Sequence, residues 1–174
     1  MKKALFIIIP LIVVSIIIYA FLGGFKEVEK SVEEDMVVQI AGTAYKGKIS
    51  SDSLQMLFMQ AKDLVESEPT ATSIAIAYYG EANPKTGQVH NFIGIAVGDE
   101  MIYEMPKNWE IRIFRKSTSV KGCIEANVLA MPTPDDMLQE LKMYAIDQNV
   151  AVDSLFIEFY PGPNRLCVQL LGAE

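Results

Sequence analysis

Histidine and cysteine are nearly missing from this chain, and their scarcity closes off most metal chemistry. One histidine, His90, and two cysteines, Cys123 and Cys167, stand among 174 residues, none at a ligand spacing. A zinc or copper site built on imidazole and thiolate therefore has no basis, and a haem would depend on that single histidine. The chain also lacks a Gly-x-Ser-x-Gly elbow, a cysteine with an identifiable His partner and a phosphate-cradling glycine loop. Nucleophilic catalysis and nucleotide binding are left without a motif, and no cofactor is expected. Basic residues are short as well, 15 against 22 acidic for a net charge of −7. A domain this acidic repels phosphate backbones, which excludes nucleic acid as a partner. Two cysteines in an oxidising compartment could pair, but two partly buried free thiols are the favoured expectation.

Charge is absent altogether from residues 4–22. As a helix that run would span roughly 28 Å, close to the hydrocarbon thickness of a bilayer. The expectation is a single-pass membrane anchor over residues 1–25. Lys2 and Lys3 would set its N-terminus in the cytoplasm and the remaining domain on the extracytoplasmic side, periplasmic or extracellular. A cleaved secretory signal is the alternative, against which stand the length of the run and Ile18 ahead of Ala20. Residues 26–35 alternate in charge and read as a solvated stalk. Residues 36–174 are enough for one domain with a real core.

What is present is periodic. Val38, Ile40 and Ala44 alternate with Gln39, Thr43 and Tyr45, a strand with Gly42 as a candidate bulge. Ser51 or Asp52 caps a helix whose apolar stripe is Leu54, Leu57, Phe58, Ala61, Leu64 and Val65. Two strands follow, in which Ile74, Ile76 and Tyr78 alternate with Ala75, Ala77 and Tyr79, and Ile93 and Ile95 with Phe92 and Gly94. Residues 109–114 read as a further strand and 116–119 as a break. The order then recurs. A strand over 123–129 leads to a helix capped by Thr133 with Pro134 in its first turn, then to strands over 154–160 and 166–170. The two helices start roughly eighty residues apart, with no visible identity between the halves. The fold class is α+β: duplicated strand-helix-strand-strand units forming a concave antiparallel sheet, two helices on its convex side, and the membrane helix in front.

With Ile74, Ile76, Ile93, Ile95, Ile124, Leu155, Ile157 and Phe159 packed beneath the helices, the opposite parity faces away from them. That face holds Tyr45, Ala75, Ala77, Tyr79, Phe92, Gly94, Ala96, Glu125, Phe156, Glu158 and Tyr160. Small residues leave volume, aromatics supply walls and a few polar groups orient a guest, which is the composition of a ligand cleft. Burial of that face in a homodimer or against another protein is the alternative.

The run Ser73-Ile-Ala-Ile-Ala-Tyr-Tyr79 before a Gly/Asn/Pro turn, the strand Phe156-Ile-Glu-Phe-Tyr160 before a Pro/Gly turn, and the duplicated element order resemble the GyrI-like small-molecule-binding domain. This domain is also the effector-binding module of multidrug-responsive transcription activators. The resemblance covers about residues 37–171. It implies a cleft between pseudo-symmetric halves in which a buried Glu and aromatics receive lipophilic, often cationic compounds, with Glu158, Tyr160 and Tyr79 at the matching positions. Some members resemble hydrolases that open strained rings with a Glu. The chain departs from the family in its anchor, in lacking a DNA-binding region, and in Lys121-Gly-Cys-Ile-Glu-Ala-Asn127.

Three functions follow as expectations. The first is a membrane-anchored binding domain for a small lipophilic or cationic molecule at Glu158, with Tyr160, Tyr79, Phe92, Glu125, Trp109 and Tyr45 around it. Glu158 stands in an apolar strand, where lost hydration should raise its pKa. The second is a hydrolase using Glu158 as base, and the third an interaction module using the small-residue face. Trp109 reads as core ahead of pocket wall, and His90 as a surface residue.

Overall fold

The computed structural model describes residues 2–68, 70–98 and 105–173, with side chains described from residue 8 onward. Three helices and six strands alternate along it. They are α1 (Lys2–Phe21), β1 (Glu29–Lys48), α2 (Asp52–Ser67), β2 (Ala71–Tyr79), β3 (Gln88–Val97), β4 (Glu110–Glu125), α3 (Pro134–Asp147), β5 (Val152–Gly162) and β6 (Arg165–Gly172). The expected strand-helix-strand-strand unit is present twice, as β1-α2-β2-β3 and β4-α3-β5-β6. All pairings are antiparallel, in the order β1-β3-β2-β5-β6-β4, and β4 pairs back with β1. The sheet expected to be open and concave is thus a closed barrel. Closure leaves no unpaired edge.

The membrane anchor is corrected. Among the described residues no helix is long and apolar enough to cross a membrane. The orientation and extracytoplasmic placement drawn from Lys2 and Lys3 lose their basis with it.

The charged stretch read as a stalk and the polar break at 116–119 prove to be one ladder. β1 begins at Glu29, and Glu33 and Glu34 pair with Ser119 and Thr118 of a continuous β4. Polar residues on both sides hid the two strand segments, since each supplies the other with polar neighbours rather than an apolar face. Asp35 adopts a left-handed φ of 51° within β1. Before it the odd-numbered Glu33 reaches the inward-facing Gln169; after it the even-numbered Met36, Val38 and Ile40 fill the interior. Gly42 is not a bulge but pairs in register with Gly94. A Cβ on Gly94 would sit 1.9 Å from the Ala41 carbonyl oxygen, so only glycine permits this approach.

α2 and α3 lie outside the barrel, each on its own half. Ser51 caps α2 through its hydroxyl to the Leu54 amide, and Thr133 and Asp136 form a reciprocal capping box on α3. Under α2 pack Ala41, Ile74, Ile95 and Trp109; under α3 pack Ile124, Leu166, Val168 and Leu170. The barrel interior is a third core of Ile40, Ala75, Ala77, Phe92, Phe114, Ile157 and Leu171. Cys123 and Cys167, expected as free thiols, face each other on β4 and β6 and form a disulfide.

The parity of β5 differs from the sequence reading. Leu155, Ile157 and Phe159 turn into the barrel, while Phe156, Glu158 and Tyr160 face the helices. β5 is apolar on both faces, so alternation cannot choose between them. Its register with β2 does, because Ile76 sits opposite Glu158 and Ala77 opposite Ile157.

Candidate ligand-binding site

The spacing that separates the two helix caps, Ser51 and Thr133, recurs in the sheet. It also separates Tyr78 from Tyr160 and Ile76 from Glu158. Ile76 and Glu158 are cross-strand partners, so the pseudo-two-fold axis of the duplication passes through this pair. One half places isoleucine on the axis, and the other places a carboxylate. The two related tyrosines converge on it. Tyr160 donates its hydroxyl to Glu158 Oε2 at 2.8 Å and Tyr78 donates to the same oxygen at 3.1 Å. Oε1 has no donor among the described residues.

Aromatic packing holds this arrangement. Tyr78 stacks on Phe156 with centroids 4.7 Å apart, and Phe58 of α2 meets Tyr160 edge-on at 5.8 Å. Glu158 is only 4% exposed and pairs with no cation among the described residues. Burial pushes its carboxyl up from 4.5 to about 7. The tyrosine hydroxyls pull it back down, and the negative charge of Asp135 at the start of α3 adds to the rise. Burial, followed by the charge of Glu158, drives both tyrosine hydroxyls well above their ordinary range. They remain neutral donors at every physiological pH.

The other residues singled out in the sequence do not gather here. Phe92 lies inside the barrel, beneath the Arg112 guanidinium at 4.3 Å. Tyr79 points to that same side, against His90, and accepts a hydrogen bond from Arg112 at 2.9 Å. Glu125 is exposed at the end of β4, opposite Arg165. Trp109 is core under α2. Tyr45 bonds Ser51 Oγ and the Lys48 carbonyl, bracing the start of α2. The small-residue face taken for a cleft or docking surface is the barrel interior, with Ala75, Ala77 and Phe92 fully buried. Tyr78 was missed because Tyr79 follows it immediately. The shared spacing of Tyr78–Tyr160 and Ser51–Thr133 is the signal that distinguishes the two.

A larger opening lies elsewhere. A groove of about 980 Å³ enters one end of the barrel, lined by Met36, Val38, Phe159, Arg165, Gln169 and the disulfide. Its buried amide is already satisfied, with Gln169 donating to Glu33 and Ser119 at 2.9 Å, and the half-buried Lys121 pairs with Glu33 at 3.3 Å. The unsatisfied chemistry is at Glu158, which does not line that groove.

No family model matches the chain, and no curated protein matches it in sequence. Solved structures do share the fold. The C-terminal domain of EcmrR has a TM-score of 0.54 at 12% identity, over 84% of this chain and 98% of that one. EcmrR in its DNA complex gives 0.56 at 10% identity, over 93% of this chain and 65% of that one. A hydrolase from Listeria innocua gives 0.54 at 8% identity, over 83% and 92%. Similarity at these identities is one of fold, consistent with the GyrI-like resemblance.

Proposed function

We propose that this chain binds a small lipophilic cation between the sheet and its helices, with Glu158 as the anionic anchor. One observation carries the reading: a buried carboxyl with no cationic partner, walled by Tyr78, Tyr160, Phe156 and Phe58. Ionising an unpaired buried acid is costly, which is why it titrates near 7 rather than 4.5. A bound cation supplies the missing opposite charge and shifts the group to carboxylate. The faces of the tyrosine rings add cation–π attraction of about 1–2 kcal/mol. Because Phe58 seals Tyr160, the guest must displace part of α2 to enter. The shared fold with EcmrR and the element order support a binding role but do not name a guest.

The test is calorimetric titration of tetraphenylphosphonium into the 174-residue chain, wild type against Glu158→Gln. A loss of tenfold or more in affinity, about 1.4 kcal/mol, is expected. Equal affinities would remove the carboxylate from the account.

A hydrolytic reading uses the same atoms. A carboxyl near 7 is well placed as a general base at neutral pH, and two phenols could steady a developing charge. Product release from a strained electrophile by wild type, abolished in Glu158→Gln, would favour this reading. Stoichiometric binding without product would count against it.

A further inference from the structure

Two buried polar side chains lack a hydrogen bond among the described residues, Thr70 through its Oγ1 ahead of β2 and Asn91 on the face that carries Glu158. Asn91 of β3 is fully buried, and neither its Oδ1 nor its Nδ2 has a hydrogen bond among the described residues. It pairs with Tyr45 on β1 and with Tyr78 on β2, so it shares the helix-facing side with Tyr78, Ile76 and Glu158. This is the side on which α2 packs against β2 and β3. Leaving an amide donor or acceptor unpaired costs about 1–3 kcal/mol each, and native proteins rarely keep such a group without a use for it. Leucine, of similar size, would avoid that cost entirely. Gln169, the other deeply buried amide, shows the contrast through its bonds to Glu33 and Ser119.

We infer that Asn91 is a second recognition point beside the Glu158 site, pairing with a carboxamide-like group that offers donor and acceptor together. The inference rests on the Glu158 reading and specifies the guest: a lipophilic cation with a polar amide at its far end. Tyr78 links the two points. Its ring lies over Phe156, toward β5 and away from Asn91, and its hydroxyl ends on Glu158. Asn91 stands one strand beyond the Ile76–Glu158 pair and two residues along, so two inter-strand steps and that offset separate their Cα atoms by on the order of 12 Å. Both side chains leave the same face of the sheet, so amide and carboxyl stay on the order of 12 Å apart, which leaves room for a hydrogen bond at one end of the guest and an ion contact at the other. A para-substituted benzyl spacer covers the span between those two contacts.

The experiment uses a matched pair of probes, benzyltrimethylammonium and its 4-carbamoyl derivative, titrated into the whole chain as wild type, Asn91→Leu and Glu158→Gln. The carbamoyl probe is expected to bind wild type about tenfold more tightly than its parent, since a site built for a hydrogen-bonding group discriminates strongly against a ligand lacking it. Asn91→Leu should erase that advantage while changing the parent probe's affinity less than twofold. It should also resist urea better than wild type without ligand. Asn91→Ala gives the same ligand readout should leucine not fit. Equal binding of both probes to wild type, or survival of the advantage in either Asn91 variant, would overturn the inference. The anchor fails separately, if the parent probe binds wild type and Glu158→Gln alike. Binding of neither probe overturns both.

Discussion

Replacing Glu158 by glutamine should make the protein more stable at alkaline pH, and the size of the gain follows from the carboxyl's environment. In the unfolded chain this group ionises at about 4.5, and in the folded protein at about 7. Between those values the folded state binds more protons than the unfolded one. The contribution of Glu158 to stability is therefore fully present below about pH 4.5 and is lost as pH rises through 7. The loss amounts to about 3 kcal/mol once the group is ionised in both states. Glutamine keeps the shape and an oxygen that accepts the two tyrosine hydroxyls, but it does not titrate. Urea unfolding of both proteins from pH 4.5 to 8.5 isolates the effect, because subtraction removes every other titrating group. The difference should grow by about 3 kcal/mol in favour of Glu158→Gln across that range. A difference independent of pH, or one moving the other way, would refute the claim that this carboxyl is buried without a counter-charge.

Tyr160→Phe removes a donor that favours the ionised form, so the Glu158 carboxyl should titrate higher than in wild type. An NMR titration of the labelled carboxyl checks the direction. Phe58→Ala should loosen the seal over Tyr160, raising the association rate of tetraphenylphosphonium at a cost of about 3 kcal/mol in stability or less. Stopped-flow quenching of the tyrosines and urea unfolding measure the two separately. Replacing Cys123 and Cys167 by serine opens a link between residues 44 apart and should cost about 4 kcal/mol at most. Its unfolding midpoint should match that of the reduced wild type, whereas no drop would show that the bond constrains nothing.

Much of the architecture was legible because each half carries local signals. The caps Ser51 and Thr133, the helical stripes of α2 and α3, and the turn residues after Tyr79 and Tyr160 place the elements without tertiary information. What failed was anything set by register. β5 is apolar on both sides, so only its pairing with β2 reveals that Glu158 faces the helices. The ladder that closes the barrel includes a largely polar stretch, 29–34 against 118–123, whose composition imitates a linker. The left-handed Asp35 reverses which residues of β1 look inward, and a local alternation rule has no means to register this. Glu158 itself was readable as an acid in an apolar strand. Tyr78 needed the duplication to be read residue by residue, and Asn91, one polar residue in the middle of β3, offered no local signal at all.

If Glu158 is the anchor, a monovalent cation must displace the proton that the carboxyl holds half of the time at pH 7. Calorimetric titration of tetraphenylphosphonium at that pH, repeated in buffers of different ionisation enthalpy, counts the protons released. The account predicts about half a proton per cation bound by wild type, falling toward none by pH 9, and none from Glu158→Gln at any pH. Binding to wild type at pH 7 that releases no proton would contradict it.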